Sequence, residues 1–506
     1  MLRSKMIERL SSSKEPFDLL IIGGGATGLG TAVEAASRGY RVALFERGDF
    51  ASGTSSRSTK LIHGGVRYLK QGQIGMVRYS LLERERLLKN APTLVRPLSF
   101  VLPAYRIGER AVNFVGLRLY DALAGQRSMG SSRWLSRSQV LELMPSVQST
   151  SLRGGVLYHD AQFDDARLAV ALAMTAVRHN AAILNYAPVA NLIYEGSAVT
   201  GAEIRDLQTG ELHRVTARRV LNCTGVFAET LLEADRRVSG EHEGSVRIAP
   251  SRGTHIVTDA EFLPGNRALM IPSTDDGRVL FAIPWLGKVL IGTTDRAVND
   301  VTTEPVPEED EIRYLLDHLR RYLSRCPGRS DIRSVFSGLR PLVRKSQSKS
   351  TAALSREHSI LTSRSGLVTV IGGKWTTYRQ MGEELVDLVE RTSGWHHRPS
   401  VTGDLSIEIP ESRSVKADLN KRQTVGELSN EEQDFVRYCV RHEMAESVED
   451  VLARRSRLLF LDATVAAGLA SSVAAVMSQE LGKPSDWATH QTDQFLRFAS
   501  CFAANP

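Results

Sequence analysis

"FDLLIIGGGATGLGTAVEAASRGY", residues 17–40, sets a six-residue apolar run against a glycine cluster and a stretch of helix-forming composition. The run is short and unbroken, as in a strand covered on both faces, and the glycines mark the passage into a helix. Gly23, Gly25 and Gly28 stand at G-x-G-x-x-G spacing. Gly23 permits a tight turn, and Gly25 lets the backbone approach a pyrophosphate at the helix N-terminus, where unpaired N–H groups and the dipole favour an anion. Gly28 allows the helix to pack closely on the strand. A second apolar run, "RVALFE", ends in Glu46, eighteen residues beyond Gly28. A carboxylate there accepts from both ribose hydroxyls and disfavours a 2′-phosphate. The passage therefore predicts a βαβ dinucleotide site.

"ASGTSSRSTKLIHGGVRYL", residues 51–69, follows at once. An NAD-binding unit would normally continue into its next crossover. Here a loop rich in small hydroxyls and glycines intervenes, which points to FAD. With "IIGGGATGLG", "GTHIV", "IGTTD", "SGLRPL", "GGKWTTYR" and "VEDVLARRSRLLFLD" in the same order, the chain resembles the FAD-dependent, respiratory glycerol-3-phosphate dehydrogenase family.

The resemblance implies that the hydroxyl-rich loop wraps the flavin. Thr54, Ser55, Ser56, Lys60 and Leu61 are its expected contacts, together with Thr27, Thr224, Gly225, Gly373, Lys374 and Thr376. Gly64 and Gly65 let the chain pass close to the ring. It further implies Arg67, Tyr68 and Arg356 as substrate-binding residues, with Arg340 gripping phosphate. His255 is the expected general base, because imidazole titrates near working pH. Lys374 or Arg340 would stabilise negative charge developing on oxygen. The implied reaction oxidises sn-glycerol 3-phosphate to dihydroxyacetone phosphate and passes electrons to a membrane quinone.

The expected fold class is α/β: a discontinuous Rossmann-like FAD-binding domain, an α+β substrate domain on an antiparallel or mixed sheet, and a helical C-terminal domain. After an N-terminal tail (1–16), the FAD domain takes 17–104, 155–240 and 345–398. The substrate domain takes 105–154 and 241–344, and a linker (399–430) leads into the helical domain (431–506). "RVLFAIPWLGKVLIGTTD" reads as a hairpin turning at Leu286–Gly287–Lys288.

The chain of 506 residues has 64 basic against 57 acidic side chains and is 42% hydrophobic, an ordinary globular composition whose net charge of +7 fits an anionic partner. Residues 105–137 hold six arginines against two acids. If helical, Val112, Val115, Leu119 and Leu123 share one face there, as in a helix lying on anionic lipid or one packed on its own protein. The four cysteines form no CxxC pair, so no metal site is expected. The first sixteen residues have no apolar signal-peptide core, and no run of 18 apolar residues occurs. The expected location is the cytoplasm, peripherally on the inner face of the cell membrane, with a homodimer possible. Nucleic-acid binding is not expected, since the basic residues are not interleaved with aromatics. Three other readings stay open: an oxygen-using glycerophosphate oxidase, an amine-oxidising flavoprotein of the glycine or sarcosine oxidase type, and a non-catalytic flavin-binding protein.

Overall fold

A computed structural model describes residues 1–70, 72–241, 246–272, 274–345, 358–409, 419 and 422–504. Strand Phe17–Ile22 pairs in parallel with Leu212–Asn222 on one side and Val42–Phe45 on the other. Val368–Ile371 and Ala182–Leu184 extend the parallel array outward. Helix Ala26–Ser37 packs against helices Asp165–Arg178 and Tyr378–Ser393. Burial beneath such layers explains why these strands read as unbroken apolar runs. Asp164 caps Asp165–Arg178 by accepting the Arg167 N–H.

The helix beginning at Ala26 lies very close to its strand. A Cβ on Gly28 would fall 1.9 Å from the Gly23 carbonyl oxygen, a separation no side chain can occupy. Any residue larger than glycine must push the helix away from the sheet.

The second sheet has ten strands and is mainly antiparallel. Its spine is Val246–Asp259 against Ile332–Lys345, paired from Val246↔Lys345 to Thr258↔Ile332. Leu280–Trp285 and Lys288–Gly292 form the expected hairpin, with Trp285 opposite Lys288 and positive φ at both Leu286 and Gly287. This two-residue turn matches the twist of the flanking strands. The α/β class with a mixed sheet and a helical C-terminal part is as expected. In that last part, helix Ala463–Leu481 buries Leu469, Val473 and Met477 among its neighbours.

Two segment assignments need correction. Val95–Ala104 and all but the first residue of Gly154–Phe163 lie within stretches given to the nucleotide domain, yet the two strands pair along their whole length, from Val95↔Phe163 to Ala104↔Gly154, in the second sheet. Strand partnership is a long-range property that apolar patterning does not encode. Residues 1–16 are also more than a tail: Arg3–Ser11 is a helix with Met6 buried, and Arg3 donates to the Asn185 carbonyl at 2.7 Å.

Among the described residues, no helix is long and apolar enough to cross a membrane. Helix Glu109–Ala124 buries Leu117, Tyr120 and Ala124, while Val112 and Val115 on its outer face are 71% and 67% exposed.

Gly28→Ala is expected to lower stability by about 2 kcal/mol through overpacking, read as a lower urea midpoint at unchanged slope. An unchanged midpoint would mean that the helix has room to lift.

Candidate active site

Gly25 caps helix Ala26–Ser37 without a side-chain acceptor, which leaves first-turn N–H groups for a ligand. The Ala26 N–H donates to Ser55 Oγ at 2.9 Å, tying the hydroxyl-rich loop to the helix start. Glu46 accepts the Gly24 N–H at 2.7 Å and the Gly48 N–H at 3.0 Å. These bonds hold its carboxylate beside the glycine turn, although burial pushes its pKa above the ordinary carboxylate value. The loop is also anchored across the molecule, because Trp375 Nε1 donates to the Ser55 carbonyl at 2.8 Å and Thr54 Oγ1 to the Leu339 carbonyl at 2.6 Å.

A cavity of about 670 Å³ joins the two sheets. Its wall includes Gly23, Gly25, Thr27 and Glu46, then Thr54, Ser55 and Leu61, then Thr224 and Gly225. Tyr68, His255, Arg340, Gly373, Lys374 and Thr376 line the same space. Gly28 is absent from the wall, in keeping with its packing role. The Arg67 side chain and all of Arg356 lie outside the described residues.

Ser56 and Lys60 depart from expectation. Lys60 does not reach the cavity: its Nζ donates to the Ser56 carbonyl and to Asp165 Oδ2, both at 2.6 Å. The residue adopts φ +59°, and its ammonium lies within a cage of Trp285, Phe336 and Phe460. Burial pulls its pKa down to about 7 against the opposing pull of Asp165. The partner carboxylate is 105 residues away in sequence, so no local spacing could reveal it. Ser56 is buried and offers its carbonyl to that ammonium.

His255 and Arg340 come from the paired spine strands, and each occupies space left by a glycine. A Cβ on Gly292 would lie 2.1 Å from the His255 ring, and one on Gly253 would lie 2.2 Å from the Arg340 guanidinium. The His255 ring stacks on Phe336, and its Nε2 sits 2.9 Å from Thr59 Oγ1. Nδ1 has no hydrogen-bond partner among the described residues. Burial holds the His255 pKa well below the ordinary 6.5, helped by the positive charges of Arg340 and Lys60. Arg340 donates to Thr293 Oγ1 at 2.9 Å and to the Thr294 carbonyl at 3.1 Å. Lys374 Nζ lies 3.9 Å from the centre of the Tyr68 ring.

Thr59, His63, Arg278 and Asp295 also line the cavity, and sequence reasoning did not select them. Asp295 Oδ2 lies 3.1 Å from Arg278 Nη1, and its Oδ1 lies 3.4 Å from Arg340 Nη1. It ends the "IGTTD" block, which was the available signal. Cys223 lines the cavity too, but burial pushes its thiol up to about 12, so it stays protonated and unreactive.

Residues 18–379 match the FAD dependent oxidoreductase family, and residues 403–489 match the C-terminal domain of alpha-glycerophosphate oxidase. The chain is 39% identical to the probable mitochondrial glycerol-3-phosphate dehydrogenase of Caenorhabditis elegans, over 95% of this chain and 72% of that one. It belongs to the FAD-dependent glycerol-3-phosphate dehydrogenase family. This dehydrogenase is also 34% identical to the mitochondrial glycerol-3-phosphate dehydrogenase of Saccharomyces cerevisiae, covering 98% of this chain and 91% of that one. The glycerol-3-phosphate dehydrogenase from Bacillus halodurans complexed with FAD superposes with a TM-score of 0.79 at 27% identity, covering 100% and 98% of the two chains. A Mycoplasma pneumoniae L-alpha-glycerophosphate oxidase, at 20% identity and TM-score 0.59, shares the fold.

FAD is the dehydrogenase's cofactor, and the residues present fit it. The uncapped helix start suits a pyrophosphate, Glu46 suits a ribose, and the cavity continues to His255 and Arg340. Asp387, Glu390 and His397 could together face a cation, but both carboxylates are already engaged by Arg38.

His255 should remain neutral through physiological pH. Its imidazole NMR signals, assigned by their loss in His255→Gln, should not titrate between about pH 8 and pH 6.5. A midpoint at or above 6.5 would contradict the buried neutral ring.

Proposed function

We propose that this dehydrogenase oxidises sn-glycerol 3-phosphate to dihydroxyacetone phosphate and delivers the electrons to a membrane quinone. The observation that carries this reading is a buried imidazole, held below its ordinary pKa by burial and by the Arg340 guanidinium, in the cavity that holds the dinucleotide cradle. Bound in that cradle, FAD supplies the hydride acceptor. His255 accepts the proton of the substrate's secondary hydroxyl as hydride leaves the same carbon. Its depressed pKa keeps it ready to accept, and Thr59 orients the ring. Arg340 and Lys374 stabilise negative charge on the substrate oxygen. Arg340 also belongs to the phosphate-gripping set with Arg67 and Arg356, since guanidinium forks match phosphate geometry. Tyr68 supports substrate binding beside Lys374.

Anaerobic titration with sn-glycerol 3-phosphate should bleach the oxidised flavin band, and His255→Ala should bind FAD but slow bleaching by at least ~100-fold. Retained flavin that no polyol phosphate reduces would remove the substrate assignment. The match of residues 403–489 to an oxidase C-terminal domain supports a second reading, in which oxygen is the acceptor. Stoichiometric peroxide without added quinone would establish it.

We also propose that the enzyme sits in the cytoplasm against the inner face of the cell membrane, docking through helix Glu109–Ala124. Ile107, Val112, Val115 and Leu119 are exposed, and so are the flanking Arg106 and Arg118. An apolar stripe edged by guanidinium groups complements anionic lipid. Val112→Glu with Val115→Glu should reduce co-sedimentation with phosphatidylglycerol vesicles by ~10-fold or more and leave activity with a soluble dye unchanged. Unchanged co-sedimentation removes the assignment. Loss of a dimer instead would give this face to a second copy of the chain.

A further inference from the structure

We infer that Arg457, carried on the C-terminal helical module, is a positioning residue that fixes the cofactor-clasping loop from behind. Its Nη2 donates to the Ser56 carbonyl at 3.1 Å and to Asp165 Oδ1 at 3.0 Å. Its Nη1 donates to the Ala453 carbonyl at 2.8 Å, which aims the guanidinium inward from its own module. The residue takes φ +66°, and its side chain is fully buried against Phe460 and Trp285.

Asp165 is the hub of this arrangement. Its Oδ2 accepts from Ser58 Oγ at 2.7 Å, from the Ser58 N–H at 3.2 Å and from Lys60 Nζ at 2.6 Å. Within the segment from Ser56 to Lys60, Ser58 and Lys60 thus share one carboxylate, whose two cations are Lys60 and Arg457, while Arg57 is held by the Ser337 carbonyl and Glu304. On the opposite side of this segment, Ser58 and Thr59 line the cavity, and Thr59 meets His255.

The same motif grips the start of the loop. Asp49 Oδ2 accepts from Arg454 Nε at 2.5 Å, and Asp49 Oδ1 accepts from Arg455 Nη2 at 2.9 Å. Three arginines in "ARRSR" therefore hold both ends of residues 49–60, the stretch that carries Thr54 and Ser55 into the cavity. A purely architectural joint would bind side chains remote from the site. Here one acceptor is a loop carbonyl, and the shared carboxylate also binds a loop N–H.

Removing Arg457 leaves Asp165 with Lys60 as its remaining cation, takes the guanidinium 3.4 Å from Asp164 Oδ1 away from a buried carboxylate, and costs the Ser56 carbonyl a donor. Arg457→Gln is expected to release FAD at least ~10-fold more readily, measured as flavin fluorescence on dilution of the full-length holoenzyme. Turnover at saturating FAD should fall, because Thr59 no longer orients His255. Arg457→Lys, which keeps one charge but loses the fork, should fall between wild type and Arg457→Gln. Leu469→Ala, a cavity in the same module's core, should lower the melting temperature without changing FAD release. FAD release within twofold of wild type in Arg457→Gln overturns the inference. So does Leu469→Ala if it releases FAD as readily at a matched loss of melting temperature. If Arg457→Gln does not fold, Arg457→Lys decides alone, and native FAD release in that variant is also an overturning result.

Discussion

The contact between Gly28 and the Gly23 carbonyl is the constraint on which the rest of the site depends. The absence of a side chain there brings the helix start against the end of the central strand, and that approach places the uncapped N–H groups where a phosphate can meet them. Loop residue Ser55 then takes the Ala26 N–H, and Glu46 takes those of Gly24 and Gly48. Each later element is located relative to this one close packing.

The second sheet solves a related problem in the same way. Its paired spine brings a histidine and an arginine to one cavity, and room for each comes from a facing glycine rather than from a loop. Gly292 admits the His255 ring and Gly253 the Arg340 guanidinium. Side chains seated against backbone on long paired strands are held more tightly than side chains on loops. The depressed pKa of His255 follows from the same seat, because a ring enclosed by strand, Phe336 and a nearby guanidinium gains little by charging.

Much of this was legible because the decisive signals are local. The glycine turn and the Leu286–Gly287 hairpin each depend on residues within a few positions of one another, and Glu46 lies at a fixed eighteen residues beyond Gly28. Sequence pattern carried no equivalent information for Lys60. Its type and neighbours suit phosphate binding, but Asp165, far along the chain, offers a buried anion that outcompetes the cavity. The sheet to which Val95–Ala104 and Gly154–Phe163 belong was hidden for a similar reason, since the buried apolar run of each has the composition of a core strand in either sheet. Thr59 and Asp295 were passed over because their partners, His255 and the pair Arg278 and Arg340, lie on other strands or turns.

The basic surplus of the chain divides between two uses that composition cannot separate. Arg454, Arg455 and Arg457 are fully buried and matched by Asp49, Asp450 and Asp165, so they add little to the outer field. The six arginines of residues 105–137 share their stretch with two acids, and Arg106, Arg118, Arg127, Arg133 and Arg137 are exposed, although Arg127 meets Glu85 from outside it. Arg106 and Arg118 thus flank an outer helix face that carries exposed Val112, Val115 and Leu119. A buried arginine is fixed by its partners and serves geometry. An exposed one beside uncovered valine and leucine keeps its field in solvent, felt over about a Debye length, roughly 8 Å at physiological salt. One residue type thus holds the hydroxyl-rich loop from within through buried carboxylates and edges an uncovered apolar helix face at the surface.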